Sequence, residues 1–217
     1  MMVKNIIFDF DGVILDSMAV RELGFRKIFA AYDEALVEEL LQYHQENGGL
    51  SRYNKIAYFY NEILHEPITQ TEIDTLATAF SEIMRVTLTD HRYLIAETVA
   101  FLQRNAAYYR LHIASGSDQN ELRYLCEALG LTDYFLSIHG SPVHKNKLVE
   151  MILSEYEYTK EETILIGDSI NDYTAAHVNG IDFYGYNNNA LDSVSVHYLD
   201  TYTILDKKKE RKHGTSL

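Results

Sequence analysis

The chain has 217 residues, 47% hydrophobic and 24% charged, which suits one α/β domain with an elaboration, or two small domains, and excludes global disorder. A formal net charge of −13 leaves no basic field for releasing counterions from nucleic acid, and it repels anionic membranes. The single cysteine, Cys126, rules out an internal disulfide and sits in the apolar helix pattern "ELRYLCEALG", which reads as core.

The first apolar run, residues 3–9, reads as a strand that ends in two carboxylates, Asp9 and Asp11, on either side of Phe10. They interrupt the run too early for a signal peptide, and no other stretch is long enough to span a bilayer, so a cytoplasmic protein is expected. From Ser17 to about Arg92 the apolar spacing becomes helical: Phe25, Ile28, Phe29 and Tyr32, then Leu36, Leu40 and Tyr43, then Ile56, Phe59 and Ile63, then Ile73, Ala77, Phe80 and Met84. "ENGGLSR" (46–52) and "HEP" (65–67) break this run, giving four helices with no strand between them. From residue 93 onward helices alternate with strands. Helices are expected at 94–106, 118–129, 146–155 and 169–178, and strands at 109–114, 134–139, 163–167 and 181–186. Repeated β-α units imply a parallel sheet covered on both faces, with the helical block inserted after the first strand as a cap. The expected division is a core of 1–16 and 93–205, a cap of 17–92, and a polar tail, 206–217, that reads as a frayed, solvated end.

Two residues on a strand span about 6.6 Å and point the same way, so ionised Asp9 and Asp11 would repel, more so if buried. A divalent cation can bridge them, one can stay protonated, or the chain can bend so that they diverge. Gly12 follows at once and permits a sharp turn. The carboxyl ends of strands are where open parallel sheets bind ligands. Three further stretches meet this end of the sheet. "HIASGSDQNEL" (112–122) offers Ser115, Gly116 and Ser117 before a helix, either a phosphate cradle or an N-cap by Ser117 or Asp118. "LIGDSINDYTAA" (165–176) places Asp168 at a strand end and Asp172 a helical turn later, where Asp168 or Ser169 could equally be capping. "GSPVHKNKLVEMIL" (140–153) puts Lys145 at a helix start, where the macrodipole disfavours a cation, so it is either a solvated lysine or one with another task. Hard oxygen ligands with few histidines nearby favour Mg²⁺ over zinc.

Together and in this order, "DFDGVILDS", "IASGS", "GSPVHK" and "IGDSINDYTAA" resemble the four motifs of the haloacid dehalogenase superfamily, in its helical-cap branch with phosphoglycolate phosphatases and β-phosphoglucomutases. The resemblance covers nearly the whole chain. It implies an α/β fold with a Rossmann-like parallel-sheet core and an inserted all-helical cap. It implies Asp9 as the nucleophile that takes up a phosphoryl group, and Asp11 as the acid and then the base. Asp9, the backbone carbonyl of Asp11, and Asp168 would hold Mg²⁺, with Ser169 and Asp172 in support. Ser115 and Gly116 would bind phosphate oxygens and Lys145 would counter their charge. The third motif lacks the family's common Lys-Pro pair, which leaves Lys147 as a substitute for Lys145. Asp11 argues against dehalogenase chemistry, and against a phosphonoacetaldehyde hydrolase using a cap lysine such as Lys55. "GGLSRYNK" (48–55) resembles the cap loop of the phosphoglucomutases, so Arg52 either grips a substrate anion or is solvated behind a Ser51 cap. The expected function is a Mg²⁺-dependent phosphatase of a small phosphate ester, as a monomer or weak homo-oligomer. The alternatives are a sugar phosphomutase and a non-catalytic phosphate-binding module.

Overall fold

Strand β1 (Asn5–Phe8) is buried along its whole length and runs near the centre of a parallel sheet of order β3-β2-β1-β4-β5-β6. The computed structural model describes residues 2–193 and 197–207. The remaining strands are β2 (Arg110–Asp118), β3 (Ser137–Ser141), β4 (Thr163–Gly167), β5 (Asp182–Tyr186) and β6 (His197–Leu199). The register of β1 pairs Phe8 with Ile113 on β2 and with Ile166 on β4, which brings three carboxyl ends level with one another. Burial on both faces explains why β1 and β4 are continuous apolar runs rather than alternating ones.

The pleat sends neighbouring side chains into two different cores. Ile6 and Phe8 face one side, where Phe8 meets Phe101, Phe135 and Tyr202. Ile7 faces the other, with Ala114, Leu148, Leu165 and Ala175. Helices α5 (Ala96–Asn105) and α6 (Gln119–Ala128) cover the first face, and α7 (Lys145–Glu155) and α8 (Ile170–Asn179) cover the second.

Between β1 and β2 lie α1 (Met18–Ile28), α2 (Glu34–Glu46), α3 (Arg52–Tyr58) and α4 (Gln70–Thr87), the four helices expected from the spacing. A wider π turn, Phe59–Leu64, extends α3 and ends at His65, whose φ of 54° is left-handed. Phe25, Phe29, Leu40, Ile56, Phe59 and Phe80 are all buried in this insert. Among the described residues no helix is long and apolar enough to cross a membrane.

Three details differ from expectation. Strand β2 continues past Ala114 to Asp118, with a register shift against β3, because the "SGS" segment stays extended. The short strand β6 has no apolar run to announce it and exists only by pairing with β5. The first residues of the expected tail are tied down: the Asp206 carboxylate accepts from Arg104 and Asn105, and the Lys207 N–H donates to Asn105 Oδ1 at 2.9 Å. The rest of that tail lies outside the described residues.

Candidate active site

Chain geometry at the end of β1 resolves the repulsion between Asp9 and Asp11 by divergence. Gly12 turns the chain with a φ of 75°, and a Cβ there would fall 1.9 Å from Asp168 Oδ2. Only glycine satisfies both demands, and the turn brings Asp168 from the end of β4 against the end of β1.

Asp9 points into an acidic cluster. Carboxylate oxygens of Asp9, Asp168 and Asp172 lie within 4.8 Å of one another. Asp9 Oδ1 accepts from the Phe10 N–H at 2.7 Å and from Lys145 Nζ at 2.9 Å, leaving Oδ2 without a hydrogen-bond partner among the described residues. Lys145 also pairs with Asp172. Asp172 Oδ2 in turn accepts from the Ser169 N–H at 3.0 Å and from the Ser169 hydroxyl at 2.6 Å, closing a capping box at the start of α8. Burial, then the facing Asp172, push Asp9 up to about 7 against the pull of Lys145. Burial and Asp9 likewise push Asp168 well above the usual carboxylate range. Lys145 is buried, which by itself disfavours its charge, but Asp172 and Asp9 hold it above the ordinary lysine value. Two buried carboxylates and the half-buried Asp168 facing one ammonium are an under-neutralised set of hard oxygen donors. They fit a small divalent cation such as Mg²⁺. Lys147, by contrast, is exposed and pairs with Glu150 at 3.0 Å.

Asp11 points the other way. Its carboxylate accepts from Arg21 Nε at 2.7 Å, from the Ser117 hydroxyl at 2.5 Å and from Ser17. Burial raises its pKa, but the Arg21 guanidinium and the two hydroxyls outweigh burial and hold it below the ordinary carboxylate range. Ser117 also accepts from Arg21 at 2.7 Å, so Asp118 is left to cap α6, accepting from the N–H groups of Asn120 and Glu121. Ser115 Oγ accepts from the Ser117 N–H at 3.1 Å. Beside it Gly116 packs so tightly that an added Cβ would meet the Gly49 carbonyl oxygen of the insert at 2.4 Å.

Arg52 is only 4% exposed and lines the cavity above Asp9 and Asp11. Its guanidinium is held by Glu121 of α6 at 2.5 and 2.8 Å and by Ser81 at 2.6 Å, 4.6 Å from the Phe80 ring centroid. Ser51 does cap α3, accepting from the Asn54 N–H.

A family model of haloacid dehalogenase-like hydrolases matches residues 6–186 of the chain, spanning every element from β1 to β5. The chain belongs to this family. Solved structures similar to the hydrolase include a predicted phosphatase from Clostridium acetobutylicum, 15% identical, with a TM-score of 0.76 over 95% of this chain and 97% of that one. CbbY from Rhodobacter sphaeroides in complex with phosphate is 20% identical, with a TM-score of 0.73 over 94% and 96% of the two chains. YfnB from Bacillus subtilis bound to magnesium is 18% identical, with a TM-score of 0.69 over 95% and 100%. The sequence matches none of the curated proteins with which it was compared.

Three of the residues around the hydrolase's cavity, Arg21, His44 and Glu121, carry no usable sequence signal. Arg21 and His44 sit inside helical runs where a polar residue reads as surface, yet both are buried. Glu121 is bonded to Arg21 across about a hundred residues of chain. Only a buried charged residue at a core-facing helix position hints at such a partner, and burial is not written in a single sequence.

Proposed function

We infer that this hydrolase is a Mg²⁺-dependent phosphatase of a small phosphorylated metabolite, working through an aspartyl phosphate on Asp9. The observation that carries this is the convergence of Asp9, Asp168, Asp172 and Lys145, from three separate stretches of chain, into one cluster beside the Asp9 Oδ2. CbbY in complex with phosphate, a CbbY mutant in complex with xylulose-1,5-bisphosphate, and magnesium-bound YfnB support the choice of substrate class and ion.

In this reading Asp9 Oδ2 attacks phosphorus and the ester oxygen leaves with a proton from Asp11. Water then attacks the phosphoryl group of the aspartyl phosphate and gives its proton to Asp11, releasing phosphate and restoring Asp9. Ser115 Oγ, the Gly116 N–H and Lys145 bind the phosphoryl oxygens. Asp9, Asp168 and the Asp11 carbonyl would hold Mg²⁺, with Ser169 and Asp172 fixing the orientation of Lys145. The ion supplies charge neutralisation, without which a carboxylate nucleophile and a phosphate dianion repel. Asp11 must carry a proton to act as acid, and Arg21 disfavours that. Arg21 belongs to the helical insert, so its hold on the Asp11 carboxylate depends on residues 17–92 closing as a cap over a core of 1–16 and 93–205. Arg52 lines the same wall, and a substrate reaching it shares it with Glu121.

The test is a panel of Mg²⁺-supplemented phosphate monoesters, with free phosphate and sugar isomerisation followed together so that hydrolysis and mutase chemistry separate. Asp9→Asn is expected to cut turnover by roughly a thousandfold or more with an unchanged melting curve. Near-normal activity in that variant removes Asp9 as nucleophile. No turnover by the wild type across the panel favours a binding module.

A further inference from the structure

The ladder between β1 and β4 stops short of the acidic cluster. Its last main-chain bond runs from the Asp9 N–H to the Ile166 carbonyl at 2.9 Å. Beyond it, the turn at 10–12 and Asp168 share no main-chain hydrogen bond among the described residues. Asp9, Asp168 and Asp172 crowd together there, and their like charges drive the two strand ends apart. Two adjacent asparagines just past β5 bridge the gap.

Asn187 Nδ2 donates to the Gly12 carbonyl at 2.9 Å, and Asn188 Nδ2 donates to the Asp168 carbonyl at 2.7 Å. One dipeptide thus reaches both strand ends. Asn187 takes a φ of 55°, in the left-handed region that asparagine tolerates better than most residues. Asn188 is itself braced. Its Oδ1 accepts from the Ala190 N–H at 3.1 Å, and its carbonyl accepts from the N–H of Leu191 at 3.0 Å, a residue buried in the second core. Gly12 is fixed from both sides, its N–H on the Leu15 carbonyl at 2.8 Å and its own carbonyl on Asn187. That N–H lies in the same planar peptide as the Asp11 carbonyl, so these bonds set the direction of the Asp11 carbonyl. Asn189, next in the chain, bonds to β6 instead, its Oδ1 accepting from the Tyr198 hydroxyl at 3.1 Å.

We propose that Asn187 and Asn188 are positioning residues for the magnesium ligands, a clamp that holds the Asp11 carbonyl and Asp168 where one ion can take both. The clamp rests on the Mg²⁺ reading of the acidic cluster and adds the residues that keep its ligands together against their own repulsion. Both asparagines act on main-chain carbonyls, not on the carboxylates. Asn187 is exposed and Asn188 half-buried, and an amide–carbonyl bond open to water contributes little to global stability. Their effect therefore falls on ligand geometry rather than on the fold.

Calorimetric titration of Mg²⁺ alone into the full chain tests the clamp without any ester. Asn187→Ala and Asn188→Ala are each expected to weaken Mg²⁺ binding by about tenfold, the usual cost of losing an outer partner of a metal ligand. Asn189→Ala, in the same loop, is expected to bind as wild type does. Melting curves recorded without Mg²⁺ should stay within about 2–4 °C of wild type for all three variants. With a hydrolysed ester, the Mg²⁺ concentration for half-maximal rate rises by the same factor in the first two variants. Excess Mg²⁺ restores their kcat, and the ester KM at saturating Mg²⁺ is unchanged. A variant that binds Mg²⁺ as tightly as wild type strikes its asparagine from the clamp; both doing so overturns the clamp and leaves the ion reading standing. A loss of binding that Asn189→Ala shares, or that comes with a collapsed melting curve in both variants, makes the loop merely structural and also overturns it. A wild type that takes up no Mg²⁺ overturns the ion reading, and the clamp with it.

Discussion

Asp9 and Asp11 stand two positions apart, yet burial and the facing Asp172 push the first up to about 7 while Arg21 and two hydroxyls hold the second low. The residue types were legible in the sequence, as was the glycine that parts them. Their opposite charge environments were not, because Arg21, Lys145 and Asp172 reach them only in the folded chain. Residues away from the cavity show the same dependence on surroundings. His112 on β2 is buried, bonded to Ser137 at 2.8 Å and to Tyr158 at 2.9 Å, and drawn down to about 4 by burial first and then by His139 and Arg110. Its folded pKa lies below the unfolded value. Above pH 6.5 both states are neutral and nothing is at stake; between about 6.5 and 4 only the unfolded chain takes the proton, so stability falls as pH falls. Between pH 7 and pH 5 His112 should therefore account for a loss of about 1–2 kcal/mol. Urea unfolding of wild type and His112→Gln at both pH values isolates that share from His44. An identical pH dependence in the two proteins refutes the assignment.

At the scale of elements, helix termini carry much of the local order. Asp172 closes the capping box of α8 and binds Lys145, so one carboxylate both starts a helix and anchors a lysine at the unfavourable end of another. Lys145 at a helix start was the readable clue, and its meaning came from Asp9 and Asp172. The box at the start of α4 is free of any such second duty: Thr69 Oγ accepts from the Glu72 N–H, and the Glu72 carboxylate accepts from the Thr69 N–H at 2.8 Å. Thr69→Ala is expected to cost about 1 kcal/mol, lowering Tm by about 2–4 °C in a chain of this size. A thermal melt in which Tm does not move would show that α4 draws its stability from packing alone. The four insert helices and the alternating β-α units were legible from periodicity. Strand β6 was not, since three residues paired along one edge leave no pattern of their own.

At the scale of the molecule, insert and sheet are joined through a buried ionic group, with Glu121 of α6 between Arg21 of α1 and Arg52 of α3. Glu121→Gln leaves Arg52 without its counter-ion, and breaking a buried pair costs about 3 kcal/mol or more. Hydrogen exchange is expected to rise in α1 and α3 relative to β1 and β4, as the insert loosens from the sheet. Equal protection in the two proteins would mean that apolar packing, rather than this group, holds the insert down.

The sequence by itself determined the order of elements, the place of the insert, and the four motif segments that end at one edge of the sheet. These are local: spacing, turn residues and residue type are properties of neighbours along the chain. Only the tertiary structure decided that Lys145 rather than Lys147 enters the acidic cluster, and that Arg52 is held by Glu121. Those facts depend on which side chains meet across long separations in a low-dielectric interior, where pairing and its absence carry large free energies that a linear pattern does not record.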